Sequence, residues 1–345
     1  MKTQVLLFIT LFFATLGTAC TEAQRISAPA RQVNEAVDLK PIADVPLTGR
    51  ASRLDYQSFD AQTGRLYIAH LGDSMMTVFD TRTQKVVGDV KDLKNVHGVL
   101  AVPELHRVYA SATGSNELAV IDDQTLQIIA RVPTGNYPDG IAYASAEKKL
   151  YVSNKNGKSD TVIDAATNKA VGTISLNAEA GNSQYDAVSD RIFVAVGERN
   201  QIVEIDPKTD SVVGRYDLTG CKGAHGLLID GERGLAFTAC EDNAKLGVFD
   251  LKGRKLLSIY DVGKDPDVLA FDTNLRRLYV SAESGVVAIF NEKENGNLET
   301  VRNDYFAPKA HTVAVDSSTH RVYFPLENVD GKPILRIVVP SDAAQ

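Results

Sequence analysis

The sequence predicts an all-β chain: a seven-bladed β-propeller with four antiparallel strands per blade, whose last blade is closed by the N-terminal strand. Three observations predict it. A short apolar pair returns at a spacing of 42 to 44 residues, as Leu66-Tyr67, Val108-Tyr109, Leu150-Tyr151, Ile192-Phe193, Leu235-Ala236, Leu278-Tyr279 and Val322-Tyr323. A period of that length marks stacked supersecondary units, none of which buries its own apolar faces. Each unit reads as four short strands, in the second unit 97–102, 107–112, 117–122 and 127–133, which is the make-up of a propeller blade. Finally, the seventh unit supplies strands at 311–316, 321–325 and 334–339 and stops without a fourth, while 42–47 reads like the fourth strands elsewhere. A strand borrowed from the N-terminus removes the exposed edges that an open array would keep.

In chain order, residues 1–20 read as a targeting leader: Lys2 precedes an apolar run at 5–16, too short to span a bilayer comfortably. The run ends Leu16-Gly17-Thr18-Ala19-Cys20, which resembles the lipobox of bacterial lipoproteins, where the cysteine carries the lipid. Gly17 stands where leucine is usual there, and small Gly17 and Ala19 also suit ordinary signal-peptidase cleavage. The expectation is export to the periplasm or cell envelope, with lipidation at Cys20 as the favoured form and the membrane reached only through that anchor. Residues 21–41 lack apolar periodicity and read as a flexible tether; 42–340 is the propeller.

Within the units the first strand is continuously apolar, as in Val99-Leu100-Ala101-Val102 and Val313-Ala314-Val315, because both its faces must be covered by neighbouring blades. The recurrent tyrosines Tyr67, Tyr109, Tyr151, Tyr279 and Tyr323 supply bulk between blades. Third strands end in Asp80, Asp122, Asp164, Asp206 and Asp250, acids suited to capping the next turn. Turn chemistry lies where the pattern needs it, at 60–64, 166–169 and 207–210.

Leu150-Tyr151-Val152-Ser153-Asn154, followed by Thr161-Val162-Ile163-Asp164-Ala165-Ala166-Thr167-Asn168-Lys169 and Val171-Gly172-Thr173-Ile174, resembles the repeat of the YVTN, or YncE-like, seven-bladed propellers. The resemblance covers residues 43–340. It implies the fold, while that family and its propeller relatives include surface-layer proteins, ligand binders and lactone hydrolases, so it implies no single activity.

The functional clue is a polar position in register with the repeat. Eleven residues before each pair, ten before Leu235, stand Asp55, His97, Asp139, Gly181, His225, Asp267 and His311. In a closed ring, six neighbours from His225 round to Asp139 alternate His and Asp, with Gly181 as the gap. The position precedes the innermost strand, in loops that meet at the mouth of the central channel. Alternating imidazole and carboxylate suits a general base oriented by an acid, or a divalent metal. His225, Asp267 and His311 are the favoured metal ligands, with Glu283 and Glu327 expected at the same mouth. The competing reading is a hydrogen-bonded girdle that satisfies turn amides beside Gly98, Gly140 and Gly226.

Cys221 and Cys240 fall in one unit, and in an oxidising compartment such a pair forms a disulfide. The alternative makes Cys221, His225 and Cys240 soft metal ligands. His70 is a lesser mouth candidate; His106 and His320 read as turn residues of the opposite face. A net charge of −7 without a basic run argues against nucleic acid as partner. No haem-attachment motif, phosphate loop or nucleophile elbow stands in the sequence. Three functions stay open. The favoured one binds a small ligand, a metal ion or a partner protein at the mouth without chemistry. The second is a metal-assisted hydrolase or lyase on a lactone or sugar-like substrate, with His225 or His311 as base. The third is a surface scaffold.

Overall fold

The computed structural model describes Met1 and residues 37–343. The leader, Cys20 and almost all of the tether lie outside the described residues. Contacts divide the chain into Met1–Asn34 and Glu35–Gln345, and every described strand belongs to the second unit.

Seven antiparallel four-stranded sheets make the seven blades. With strands numbered β1 to β28 along the chain, blade 1 contains β2 (Gln57–Asp60), β3 (Arg65–His70), β4 (Met75–Asp80) and β5 (Lys85–Val90). Blades 2 to 6 repeat this meander, opening on inner strands β6 (Val96–Val102), β10 (Pro138–Ala144), β14 (Ala180–Asp186), β18 (Ala224–Asp230) and β22 (Pro266–Asp272). Blade 7 has β26 (Ala314–Asp316), β27 (Arg321–Val329) and β28 (Lys332–Pro340), and its outer edge is β1 (Leu39–Pro46).

The closing strand is antiparallel to β28, from Leu39 opposite Pro340 to Pro46 opposite Ile334. Arg336 clamps Asp44 across the pair, Nε to Oδ1 at 2.8 Å and Nη2 to Oδ2 at 2.6 Å. This strand starts at Leu39, ahead of the segment 42–47 read from the sequence, because Val37 and Leu39 are themselves buried. Conversely β26 is shorter than expected: His311 and Thr312 precede it in irregular backbone, although both are fully buried.

The core lies between the blades. Seven apolar clusters each join two neighbours, and one of them joins Leu54, Leu66, Ile68 and Phe79 of blade 1 to Tyr323, Leu335 and Ile337 of blade 7. Tyr67, Tyr109, Tyr151, Tyr279 and Tyr323 are fully buried in these seams, where each large apolar side chain contributes about 1.5–3 kcal/mol. The third-strand acids cap turns as expected; Asp122 Oδ1, for example, accepts from the amides of Gln124 at 3.1 Å and Thr125 at 2.9 Å.

One seam is polar. Asp160 of blade 3 is fully buried, its Oδ2 accepting from Ser183 Oγ at 3.0 Å, while its Oδ1 has no partner. Burial pushes its carboxyl up to about 7 against the pull of the Ser183 and Ser153 hydroxyls. Blade 5 carries a covalent staple, the disulfide between Cys221 and Cys240, whose Cα atoms are 5.3 Å apart. Both sulfurs are thereby used, which removes the soft-ligand alternative for Cys221, His225 and Cys240.

Two expectations follow for stability. Replacing both Cys221 and Cys240 by Ala releases a loop of 19 residues and should lower the unfolding free energy by about 3 kcal/mol on the chain-entropy account; an unchanged denaturant midpoint contradicts it. The raised Asp160 carboxyl favours the protonated folded state, so its contribution is complete near pH 4 and is lost as pH rises through about 7. Asp160→Asn should abolish that loss, worth at most about 4 kcal/mol. Parallel stability-versus-pH curves of the two proteins would refute the assignment.

Candidate functional site

Three positions of the repeat supply the lining of the channel mouth, drawn from blades 1, 2, 3, 5 and 6. The outermost stands two residues before the His/Asp register position. Asn95, Tyr137, Asp265 and Lys309 occupy it with positive φ, between 49° and 62°, and this left-handed kink turns the chain into the ring. The next residue is apolar and buried, as in Leu54, Val96, Ala180, Ala224 and Ala310, and pins the loop to the core. The register residue follows; in five blades it lines the mouth, while Gly181 and the fully buried His311 do not. A third position, just past the second strand of each blade, adds Lys155, Glu241 and Glu283.

Strand pairing corrects one register. Ala224 pairs with Cys240 as Pro138 pairs with Asn154, so the fifth repeat pair is Ala236-Phe237 and not Leu235-Ala236. His225 then lies eleven residues before its pair like the other register residues. The same rephasing puts Glu241, absent from the sequence reading, at the position of Glu283. Arg53, Tyr137, Lys155 and Asp265 were equally readable once three positions per repeat were tracked.

Asp55, His97, Asp139, His225 and Asp267 line a cavity of about 120 Å³. The gap at Gly181 has a steric cause: a Cβ there would lie 2.5 Å from the carbonyl oxygen and 2.7 Å from the Cα of His225. Across it the ends of the arc meet, His225 Nε2 standing 3.7 Å from Asp139 Oδ2. At Gly226 a Cβ would lie 1.9 Å from the carbonyl oxygen of Asp267, so adjacent inner strands approach as closely as main chain allows.

The favoured metal trio divides into two groups that share Asp267. Donor atoms of Asp55, Asp267 and His311 lie within 4.8 Å of one another, and so do those of His225, Glu241 and Asp267. His311 is fully buried; its Nδ1 faces the carbonyl of Lys309 at 3.0 Å and must carry the proton. The Nε2 lone pair is then unpartnered, as is Oδ2 of Asp55. Burial first, and then repulsion from Asp267, raise the Asp55 carboxyl well above its ordinary value although Arg53 opposes this. His97 repeats the local geometry, with Nδ1 on the Asn95 carbonyl at 2.9 Å, but its Nε2 is taken by the Tyr137 hydroxyl at 3.1 Å. Burial holds its imidazole below the usual pKa.

Glu283 is spoken for. Arg53 Nη1 donates to its Oε1 at 2.6 Å and Lys309 Nζ to its Oε2 at 3.0 Å; burial works against the charge, but the surrounding positive groups, Lys309 and Arg53 among them, hold the carboxyl down at about 2. Glu241 has no such cations at bonding distance, and burial raises its carboxyl against the pull of His225.

Tyr56 is the residue the repeat logic hid. Where other blades carry Gly98, Gly140 or Gly226, blade 1 carries a phenol that crosses the channel, donating to Asp267 Oδ1 at 3.1 Å and accepting from Asn182 Nδ2 at 3.1 Å. It lines both the mouth and the channel cavity beneath, and so forms the floor between them. The available signal was a phenol at a position that is glycine in three of the other six blades.

Other candidates stand apart. His70 is buried against Ser52, Nε2 to Oγ at 3.0 Å, outside the mouth lining. Glu327, expected at the mouth, lies in the β27 arm of the terminal hairpin and does not line it. His106 and His320 are left-handed turn residues, and His320 bonds Asp272 at 2.8 Å.

No family model matches the chain, and no curated protein matches its sequence. Solved structures do resemble it. The hydrazine synthase of Kuenenia stuttgartiensis aligns with a TM-score of 0.72 at 16% identity, over 85% of this chain and 97% of that one. A structure of U3-55K gives 0.75 at 11% identity, over 88% and 100%. The WD40 repeats of RRP9 give 0.74 at 12%, over 88% and 99%. At these identities the likeness establishes the seven-bladed antiparallel propeller and nothing about activity.

Proposed function

We propose that this chain is an exported, YVTN-type propeller of the cell envelope that binds a divalent first-row metal ion at its channel mouth, through Asp55, Asp267 and His311. The observation that carries the reading is the fully buried His311, whose Nε2 has no hydrogen-bond partner, grouped with buried Asp55, whose Oδ2 makes no hydrogen bond and has Arg53 Nε and His97 Nε2 only at 4.0 and 3.8 Å. An unpaired buried polar atom is costly, and two that both offer lone pairs, an imidazole nitrogen and a carboxylate oxygen, are both satisfied by a cation.

The donor set fits. One imidazole and two carboxylates suit zinc or manganese; ligands about 2.1 Å from a common ion stand at most about 4.2 Å apart, and donor atoms lying within 4.8 Å of one another need at most a small closure. The Lys309 carbonyl fixes the His311 tautomer, as metal-bound histidines require of their second nitrogen. Asp267 keeps Oδ2 free while Tyr56 holds Oδ1. The bound ion would in turn present open positions to a small ligand entering the mouth.

The YVTN assignment is supported by the repeat Leu150-Tyr151-Val152-Ser153-Asn154 and its continuation. Export is supported by Lys2 with the apolar run that follows and by the Cys221–Cys240 bridge, which belongs to oxidising compartments.

Metal-free protein titrated calorimetrically with zinc or manganese should bind. His311→Ala should weaken that binding roughly a hundredfold or more, with little change in melting temperature of the metal-free form. Affinity should also fall as pH drops from about 8 to about 5.5, because imidazole and carboxylates must shed protons to ligate. Absence of binding would favour the scaffold reading, and ion-dependent hydrolysis of a lactone panel would favour the hydrolase.

A further inference from the structure

We propose that the mouth is a two-cation centre, in which a second divalent ion sits on His225, Glu241 and Asp267, and Asp267 bridges it to the ion on Asp55 and His311. The proposal rests on the one-ion reading above and goes beyond it.

The donor atoms of His225, Glu241 and Asp267 form their own group within 4.8 Å. Acidic clusters are common, but here His225 within the group and Asp139 beside it are buried and left without hydrogen bonds. The His225 side chain is 9% exposed and makes no hydrogen bond among the described residues; its nearest carboxylate oxygens, on Asp139 and Glu241, stand 3.7 and 3.8 Å from Nε2. Those distances are too long for hydrogen bonds. Asp139, 2% exposed, has Oδ1 buried with no partner. An imidazole and a carboxyl group held near each other without hydrogen-bonding leave donor atoms that a metal ion would satisfy.

Charge points the same way. Six carboxylates line the mouth, those of Asp55, Asp139, Asp265, Asp267, Glu241 and Glu283, against the permanent cations Arg53 and Lys155. With the carboxylates ionised and Lys309 counted on Glu283, the excess is three negative charges, more than one divalent ion neutralises. Asp267 is able to bridge because a carboxylate offers about four lone-pair sites, and Tyr56 uses one oxygen.

The second group is also held in place. Cys240 directly precedes Glu241, and Cys221 anchors the loop that leads into His225, so the disulfide ties the two ligand-bearing segments together. Beside them the gap at Gly181 opens a pocket of about 140 Å³, bordered by Gly197, Gly223, His225 and Glu241, which gives the second ion a route to water and to small ligands.

The test uses the purified full chain, stripped of metal and dialysed against manganese, with ions per chain counted by elemental analysis and the bound manganese examined by electron paramagnetic resonance. The expected result is two ions per chain with an exchange-coupled multiline spectrum, falling to one ion and an isolated six-line spectrum in Glu241→Gln and in His225→Ala. Glu241 is one-third exposed, so Glu241→Gln decides the matter if His225→Ala fails to fold. One ion in the native chain, retained by Glu241→Gln and lost in His311→Ala, would overturn the second site and leave the first standing. One ion lost in Glu241→Gln but retained by His311→Ala would overturn the bridged pair and the first site together. No bound ion would likewise remove both.

Discussion

Everything at the channel mouth depends on one pairing, between the first strand of the propeller and the last. β1 lies antiparallel on β28 through seven matched residues, and the apolar seam between blades 7 and 1 completes the circuit of inter-blade cores. Neither blade buries its facing side alone, so the seam and the strand pairing hold only together. The Arg336–Asp44 clamp lies directly on that pairing. Without it, Asp55 of blade 1 and His311 of blade 7, separated by most of the chain, would have no reason to meet.

Closure also fixes what the mouth is made of. Inner strands come so close at Gly181 and Gly226 that a Cβ there would meet the main chain of the next blade, and the larger polar groups converge at the mouth. Carboxylates packed this way repel one another. The upward shifts of Asp55 and Glu241 are the signature of that crowding and burial, whereas Glu283 escapes it through Arg53 and Lys309. The fold thus gathers negative charge in a place where some of it is left without a partner, and the blade cores and the Cys221–Cys240 bridge hold it there.

Much of this was readable along the chain. The repeat pair marks a buried seam residue in every blade, and of the Asp and His positions read in register with it, Asp55, His97, Asp139, His225 and Asp267 line one cavity while His311 is buried outside that lining. The reading erred where the repeat is imperfect. In the fifth unit Leu235-Ala236 mimics the apolar pair, but strand pairing assigns the seam to Phe237, and that one-residue slip concealed Glu241. Glu327 satisfied the repeat yet left the mouth, because its strand runs on into the long terminal hairpin.

By itself, then, the sequence determined the architecture and the ring of register residues, because hydrophobic periodicity and turn chemistry are local properties repeated in every unit. Only the tertiary structure decided how the ring is subdivided: that His225 and His311 belong to separate groups around Asp267, that Asp139 reaches His225 across Gly181, and that Tyr56 floors the cavity. Those relations join residues of different blades, whose distances follow from ring closure and from side-chain packing across the channel, and no spacing along a single unit encodes them.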